Sequence, residues 1–534
     1  MPSNRPPLLY LLVFGLPLLV FSGVLQGEFL TWDDHTLIFH NPHFQPRAAL
    51  DIAFFWRGPY EKLYMPLTYT LWGGLSLVAR LETPQLTSVG PAYFNPLVFH
   101  GANWLLHAFN VLLVFALLRR LKFSELAAVG GAFCWGLHPL QVESVAWASE
   151  LKGVLCAFWV FSALLFYVKY AQAPIDSKRW PPYALALICF VLALLSKPSA
   201  VAMPLMALAL DGFLLRRHWR HSFLSLAPFF VLALGWVWLT RRAQPIEAPL
   251  WSPLLYRPLI AGDVLAFYLG KFLMPWPLTA DYGRTPRFVM EHWWSYVTWM
   301  APFTVLVFVM RSREKTLMAA LGVFVGAALP NSGLVPFAFQ NFSTVADRYA
   351  YLPLLGLALA FAWLLQQVNA KRPRAALGLS VGASLLWASL SLWQGFYWAN
   401  DVALSTHVLE VNPRSFLGHV ALGNAAGATQ RYDEAMAHFR AAQPLAPPTQ
   451  DVRFNMAQLL LRQGRDEEAV RMLREAVAEH PDLVVAHFNL ANALMQQNRF
   501  AEAIQWYESA LQIQPDYAPA RKNLLEARQR ETRR

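Results

Sequence analysis

The sequence predicts an all-α fold: a polytopic membrane bundle of about eleven spanning helices, followed by a C-terminal solenoid of helical repeats. Two observations predict it. Of 534 residues, 56% are hydrophobic and only 14% are charged, whereas soluble proteins carry roughly 25% charged residues. The apolar residues form long runs up to about residue 400, and the chain then becomes polar and repetitive.

Each apolar run predicts a spanning helix, because about 20 mostly apolar residues cross the hydrocarbon core. The runs cover residues 8–26, 98–118, 124–141, 151–170, 182–196, 200–215, 222–239, 293–311, 316–330, 349–367 and 375–395. We interpret the first run as an uncleaved span, since no cleavage site follows it. Residues 259–276 contain Asp263 and Lys271, which make a lipid-exposed crossing costly, so we expect a re-entrant or interfacial helix there.

Short basic loops follow alternate runs, which is typical of the cytoplasmic side of a membrane protein. Membrane topology and anionic lipids therefore explain the net charge of +11 without nucleic acid. This orientation makes the N-terminus cytoplasmic and places a long first loop, residues 27–97, outside. If residues 259–276 do cross, everything after them inverts, and the C-terminal repeats become cytoplasmic instead of external.

The last part of the chain repeats every 34 residues, so we divide it into a membrane domain (1–400) and a repeat domain (401–534). The positions in phase include Pro413, Pro447, Pro481 and Pro515. A helix–turn–helix unit of 34 residues is the tetratricopeptide repeat, whose concave face usually binds protein or peptide. The predicted units are 415–448, 449–482 and 483–516, with a polar cap at 517–534.

Two adjacent acids, Asp33 and Asp34, stand in "FLTWDDHTLIFHNP", where the first span meets water. Ionisable groups at membrane depth are functional candidates, and two carboxylates can divide the roles of base and permanently ionised group. The alternative is an ordinary acid pair in a polar turn. The three cysteines lie in apolar runs with no spacing that suggests a disulfide or zinc site.

Further ionisable groups lie in later external loops. His138 and Glu143 occur in "LHPLQVE", and Lys197 ends the fifth apolar run, where it can contact a phosphate or simply snorkel to the interface. In "ADRYAYLPLLGL", Arg348 can clamp a phosphate through two parallel hydrogen bonds. The alternative is an ion pair with its neighbour Asp347 and an interfacial role for Tyr349.

Seven segments in this order resemble the transmembrane and tetratricopeptide repeat proteins and their bacterial relatives. They are "WDDHTLIFHNP", "MPLTYTLW", "NWLLHAFNVLLVFALLRRL", "LHPLQVESVAWASELKG", "SKPSAVAMP", "ADRYAYLPLLGL" and the 34-residue repeats. These proteins resemble GT-C glycosyltransferases and are similar in architecture to protein O-mannosyltransferases. The likeness covers nearly the whole chain, but "SELKG" stands where relatives often carry a Gly-Arg pair, which makes Lys152 a doubtful match.

The resemblance implies transfer of a sugar from a polyprenyl-phosphate carrier to a hydroxyl of a protein acceptor, with inversion. It implies a catalytic Asp33 or Asp34, with Asp33 favoured as the base. It also implies that Arg348 and Lys197 hold the carrier phosphate. His138, Glu143, Asp347 and Tyr349 would support these groups.

The resemblance further implies a protein of the bacterial inner membrane, with site and repeats on the periplasmic side. No cofactor is required, although Asp33 and Asp34 would be the ligands if a divalent cation is used. The expected partners are the lipid-linked sugar, a peptide in the repeat groove and membrane lipids. The main alternative is a non-catalytic membrane scaffold whose repeats recruit proteins. A lipid-sugar transporter predicts an inverted repeat, which the sequence does not show.

Overall fold

The computed structural model describes residues 6–44, 51–87, 90–174, 179–243, 253–447, 450–515 and 517–533. Parts of the predicted first loop (45–50 and 88–89) lie outside these ranges, as do three ends of the predicted repeat units (448–449, 516 and 534). The chain forms two compact units, Met1–Val411 and Asn412–Arg534. We call them the N-terminal and C-terminal units and describe each by itself.

The N-terminal unit consists almost entirely of helices. In chain order they are α1 (Pro6–Val20), α2 (Ile52–Arg57), α3 (Pro66–Val78), α4 (Pro96–Arg120), α5 (Glu125–Gly136), α6 (Val142–Ala146), α7 (Leu151–Gln172), α8 (Trp180–Ser196), α9 (Met203–Ala209), α10 (Trp219–Ala243), α11 (Arg257–Leu273), α12 (Pro286–Glu291), α13 (Ser295–Thr298), α14 (Met300–Ser312), α15 (Lys315–Ala328), α16 (Leu354–Lys371), α17 (Pro373–Phe396) and α18 (Asp401–Val411). Asn95 and Ser124 cap the N-termini of α4 and α5 by accepting hydrogen bonds from backbone N–H groups.

Among the described residues, five helical segments are long and apolar enough to cross a membrane. They are Pro96–Arg120, Ala148–Gln172, Pro198–Leu215, Trp219–Ala243 and Pro373–Phe396. Three shorter apolar helices cover Leu8–Val20, Trp180–Ser196 and Lys315–Asn331. The segment expected at 293–311 is divided between α13 and α14, so the count of eleven spans stays a prediction, as does the interfacial position of α11.

The predicted first loop is folded. Besides α2 and α3 it contains a hairpin of β1 (Arg80–Thr87) and β2 (Gly90–Phe94), which pair antiparallel with Arg80 opposite Phe94. An aromatic cluster holds this region, in which the rings of Phe55 and Tyr69 stack with centroids 4.4 Å apart. The hairpin is a small exception, since the described chain is otherwise built from helices, and the all-α class that the sequence predicts is confirmed.

Small residues let the helices of the bundle approach closely. A Cβ added at Gly131 of α5 would lie 2.9 Å from the Cβ of Ala362 in α16. At Gly356 of α16, it would lie 2.5 Å from the backbone nitrogen of Phe324 in α15. Such close contacts at glycines are typical of helix packing in membranes. There the hydrophobic effect does not drive helices together, so association depends on close van der Waals contact.

A polar stripe on α4 joins neighbouring elements inside the bundle. The Asn103 amide donates to the carbonyl of Trp147 at 2.7 Å, and the Asn110 amide donates to that of Val154 at 3.0 Å. Nδ1 of His107 lies 2.8 Å from the Tyr351 hydroxyl. The stripe is therefore used for interhelical hydrogen bonding.

The division between the units falls after α18 rather than at residue 400. Asp401, the first residue of α18, accepts a hydrogen bond from the backbone N–H of Thr31 at 2.8 Å. The backbone N–H of Glu28 donates to the carbonyl of Ala399 at 2.9 Å. These contacts hold the first loop against the segment that follows α17.

The described residues of the C-terminal unit form three helical hairpins and a last helix. Its helices are α19 (Phe416–Ala428), α20 (Tyr432–Ala442), α21 (Arg453–Arg462), α22 (Asp466–Glu479), α23 (Val484–Gln496), α24 (Phe500–Ile513) and α25 (Ala518–Thr532). The in-phase alanines Ala435, Ala469 and Ala503 are fully buried. The 34-residue period therefore marks the positions where paired helices touch.

Candidate active site

Asp34 is a buried anchor of the first loop. One carboxylate oxygen accepts from the backbone N–H of Leu30 at 2.9 Å, and the other accepts from the backbone N–H of Ser149 at 2.8 Å and from its hydroxyl. Burial raises the pKa of Asp34 to about 7, although the hydrogen bonds from Ser149 and Leu30 oppose the shift. Asp34 ties the loop to the start of α7 and has no free oxygen for a substrate.

Asp33 faces outward instead, with 47% of its side chain exposed. Its carboxylate accepts a hydrogen bond from the Lys152 ammonium at 3.1 Å. Burial opposes ionisation, but the charges of Lys152, Arg348 and His35 outweigh it and hold the pKa of Asp33 below its ordinary value. Of the two adjacent acids, Asp33 is the one that is ionised at neutral pH and accessible.

Asp33 begins a chain of alternating charges. Lys152 lies 3.7 Å from Glu150, and the other oxygen of Glu150 accepts a hydrogen bond from Lys197 at 2.8 Å. The Glu150 side chain is 1% exposed. A carboxylate so deeply buried requires compensating cations, and the two lysines supply them.

Arg348 forms a second buried ion pair beside this chain. Its guanidinium and its backbone N–H both donate to Glu143, the latter at 3.0 Å. The guanidinium also lies over the ring of Phe339, 4.2 Å from its centroid. Packing and pairing thus fix its position before any ligand binds.

Lys197 and Arg348 line the same small cavity, which has a volume of about 20 Å³. The other lining residues are Gly153, Ser199, Ala327, Asn331, Tyr349, Tyr351, Leu352 and Pro353. Both residues that we expect to hold a phosphate, and the supporting Tyr349, therefore meet at one place. Their positive charges and the hydroxyl groups suit a small anionic group.

His138 and Asp347 are held by other contacts. Nδ1 of His138 accepts from the backbone N–H of Leu140 at 3.2 Å, and Nε2 lies 3.1 Å from the carbonyl of Phe272. Asp347 accepts from the Tyr282 hydroxyl at 2.7 Å. The ion-pair partner of Arg348 is Glu143, not its neighbour Asp347.

The sequence alone gives Glu150 no role and makes Lys152 a doubtful match. Both lie within the first turns of the apolar segment Ala148–Gln172. Ionisable residues inside such a segment are functional candidates. The sequence carries that signal, but their partners, Asp33 and Lys197, are distant along the chain.

The residues present do not form a divalent cation site at Asp33 and Asp34. Among the described residues, no group of three or more His, Cys, Asp or Glu side chains is arranged to hold a metal ion. The oxygens of Asp34 accept from N–H and O–H donors, and Asp33 accepts from the ammonium of Lys152.

Comparison with known proteins identifies one part of the chain. Residues 454–518 match the tetratricopeptide repeat family. No curated protein matches the sequence. The match covers α21 to α24 and confirms the repeat predicted from the 34-residue period. Since tetratricopeptide repeats generally mediate protein–protein interaction, it indicates an interaction role for the C-terminal unit.

Proposed function

We propose that the chain is a membrane glycosyltransferase. It moves a sugar from a polyprenyl-phosphate carrier to a hydroxyl of a protein acceptor on the extracytoplasmic side of the membrane. The observation that carries the proposal is the cavity shared by Lys197 and Arg348, together with its link through Glu150 and Lys152 to the accessible Asp33.

In the proposed step, the acceptor oxygen attacks the anomeric carbon of the sugar. The bond between that carbon and the phosphate oxygen breaks, and its electron pair leaves with the carrier phosphate. Asp33 takes the proton of the acceptor hydroxyl, for which it must come within about 3 Å. Lys197 and Arg348 stabilise the negative charge that develops on the leaving phosphate.

The charge balance supports a monophosphate carrier. The ion-paired groups of the site are three cations and three carboxylates, which are Lys152, Lys197, Arg348, Asp33, Glu143 and Glu150. A site that is close to neutral before binding accommodates the single charge of a phosphodiester more easily than the two charges of a diphosphate, because unpaired charge is costly in a partly buried site.

The repeats supply the second half of the proposal. A tetratricopeptide surface that binds an extended peptide would hold a protein acceptor and raise its local concentration. The external location of both the site and the repeats belongs to this proposal. The proposal also includes that the chain's own cations, rather than a metal, hold the phosphate.

The test incubates the purified full chain in lipid nanodiscs with a panel of polyprenyl-phosphate sugars and a mixture of acceptor peptides. Mass spectrometry follows free carrier phosphate and glycosylated peptide together. The proposal expects both to rise in equal amounts with at least one donor. Carrier release without peptide modification would indicate hydrolysis, and no release with any donor would contradict the proposal.

A non-catalytic membrane scaffold whose repeats recruit protein partners is the second candidate, and the repeat match is compatible with it as well as with the enzyme. It expects partner binding by the C-terminal unit that does not change when Asp33, Lys197 or Arg348 is replaced. The enzyme proposal expects those replacements to remove sugar transfer while partner binding persists. Affinity capture and the transfer assay on the same variants distinguish the two.

A further inference from the structure

We propose that Glu150 is a positioning residue that couples phosphate binding at the cavity to the basicity of Asp33. The inference rests on the proposed function, because it gives Asp33 a proton to accept and the cavity a phosphate to hold. Glu150 touches neither partner. It acts through the two lysines between which it lies.

Glu150 lies at unequal distances from the two lysines, and this allows Lys152 to exchange Asp33 for Glu150 as its partner. The carboxylate of Glu150 is 2.8 Å from Lys197 but 3.7 Å from Lys152, which instead donates to Asp33 at 3.1 Å. The oxygen of Glu150 that faces Lys152 is buried and accepts no hydrogen bond within the described residues. It is therefore free to accept one from Lys152.

Gly153 provides independent support that the Glu150–Lys197 contact is built into the fold. A Cβ added at Gly153 would lie 2.5 Å from an oxygen of Glu150 and 3.2 Å from the Lys197 nitrogen. Any side chain at this position would push Glu150 aside. Because Gly153 of α7 has no side chain, Glu150 and Lys197 can form their ion pair next to the cavity.

The coupling follows from electrostatics. A phosphate that binds in the cavity attracts Lys197 and weakens its hold on Glu150. Glu150 then draws Lys152 toward its free oxygen and away from Asp33. Loss of a cation at hydrogen-bond distance raises a carboxyl pKa by about 1–3 units. Asp33 thereby becomes a better base when the donor is in place.

Other charged groups also surround these four residues. Arg348 and His35 favour ionisation of Asp33, while the adjacent Asp34 is held by its own hydrogen bonds. Arg348 also acts on both lysines and stays paired with Glu143. Within this part of the described chain, Lys197 and Lys152 are thus the groups whose partners change.

The test measures proton uptake on binding, not sugar transfer. A short-chain dialkyl phosphate serves as the probe, since it stays a monoanion and exchanges no proton itself. It is titrated into the full chain in nanodiscs by calorimetry at about pH 5, above the ordinary aspartate pKa, in two buffers of different ionisation enthalpy. We expect the wild type to take up a measurable fraction of a proton when the probe binds.

Four variants sharpen the test. Asp33→Asn should bind the probe without proton uptake, and Glu150→Gln should bind it with uptake reduced at least about threefold. Gly153→Ala keeps every charge and should reduce uptake as well, so it carries the test if Glu150→Gln fails to fold. Asp211→Asn removes a buried carboxylate paired with Arg217 instead and should match the wild type.

The outcomes separate the two proposals. Probe binding without proton uptake by the wild type overturns the coupling and leaves the phosphate site in place. Wild-type uptake in both Glu150→Gln and Gly153→Ala also overturns the coupling. Failure of the wild type to bind the probe overturns the phosphate site and the coupling with it.

Discussion

The ion pairs that recur in the repeats differ in burial from those beside the cavity of the N-terminal unit. In the C-terminal unit, the pairs Arg431–Glu434, Arg465–Glu468 and Arg499–Glu502 recur with the period of the repeat, and their side chains are 31–54% exposed. In the N-terminal unit, Glu143 and Glu150 are 1% exposed and bind cations from distant segments. The distances are similar, and burial is what differs.

This difference in burial shows where an ion pair is costly for the protein. An exposed pair on one helix gains little, because water screens it and holding the side chains costs entropy. A buried pair must offset the loss of hydration, and replacing it by apolar side chains is often neutral or stabilising. Several buried pairs around one cavity therefore indicate a function that needs charge there. The repeat pairs require no such explanation.

The largest expected effect is on catalysis. Asp33→Asn removes the proposed base and should lower sugar transfer by about 10²–10⁴-fold, while folding and probe binding persist. The matched control is Glu28→Gln, which neutralises an exposed acid in the same loop. Transfer is measured with the donor that the wild type uses. Wild-type turnover by Asp33→Asn would contradict the role of Asp33 as the base and, with it, the functional interpretation of the buried charges.

The second-largest effect is expected on stability, when a buried ion pair loses its cation. Arg348→Met leaves Glu143 buried without its cation and should lower the free energy of unfolding by about 3–5 kcal/mol. Denaturant titration in detergent, followed by tryptophan fluorescence, measures the change. Arg465→Met in the repeats is the comparison and should behave as the wild type. Equal effects of the two substitutions would contradict the contrast between the units.

A smaller effect concerns pH. Burial raises the pKa of Asp34 from 3.8 to about 7, so the folded state binds its proton more tightly than the unfolded chain. The free energy of unfolding should therefore fall as pH rises from about 4 to 7, by at most about 1.4 kcal/mol per pH unit. Asp34→Asn should flatten this slope. The measurement compares unfolding of both proteins across that range, and parallel profiles would show that Asp34 ionises normally.

The smallest effect is expected in the repeats. Glu468→Gln removes an exposed partner of Arg465 and should leave the unfolding midpoint unchanged, because water replaces the lost contact. The midpoint is measured at low and high salt. A clear loss of stability that salt abolishes would mean that exposed pairs also hold the solenoid together.

Much of the fold could be predicted from the sequence, because periodicity and apolar length are local properties. The 34-residue period predicted the repeats that the family match confirms at 454–518. The aromatic cluster around Phe55 and Tyr69 was not predicted, since the packing that folds the first loop is tertiary. The hairpin of β1 and β2 could not be predicted for the same reason.

The site shows the same limit. Acids and cations in loops marked Asp33, Lys197 and Arg348 as candidates, and the structure brings the two cations to one cavity. Their partners were not predictable, because Glu143 lies 205 positions from Arg348 and Lys152 lies 119 positions from Asp33. The neighbour in sequence, Asp347, was the wrong partner for Arg348.

The contact between Thr31 and Asp401 has a practical consequence for dissecting the protein. A shortened chain that stops at residue 400, where composition alone suggests the cut, loses the carboxylate that fastens the loop carrying Asp33. A chain that stops at Val411 retains it. Activity lost by the shorter truncation and kept by the longer one would therefore report a loosened loop rather than a contribution of the repeats to catalysis.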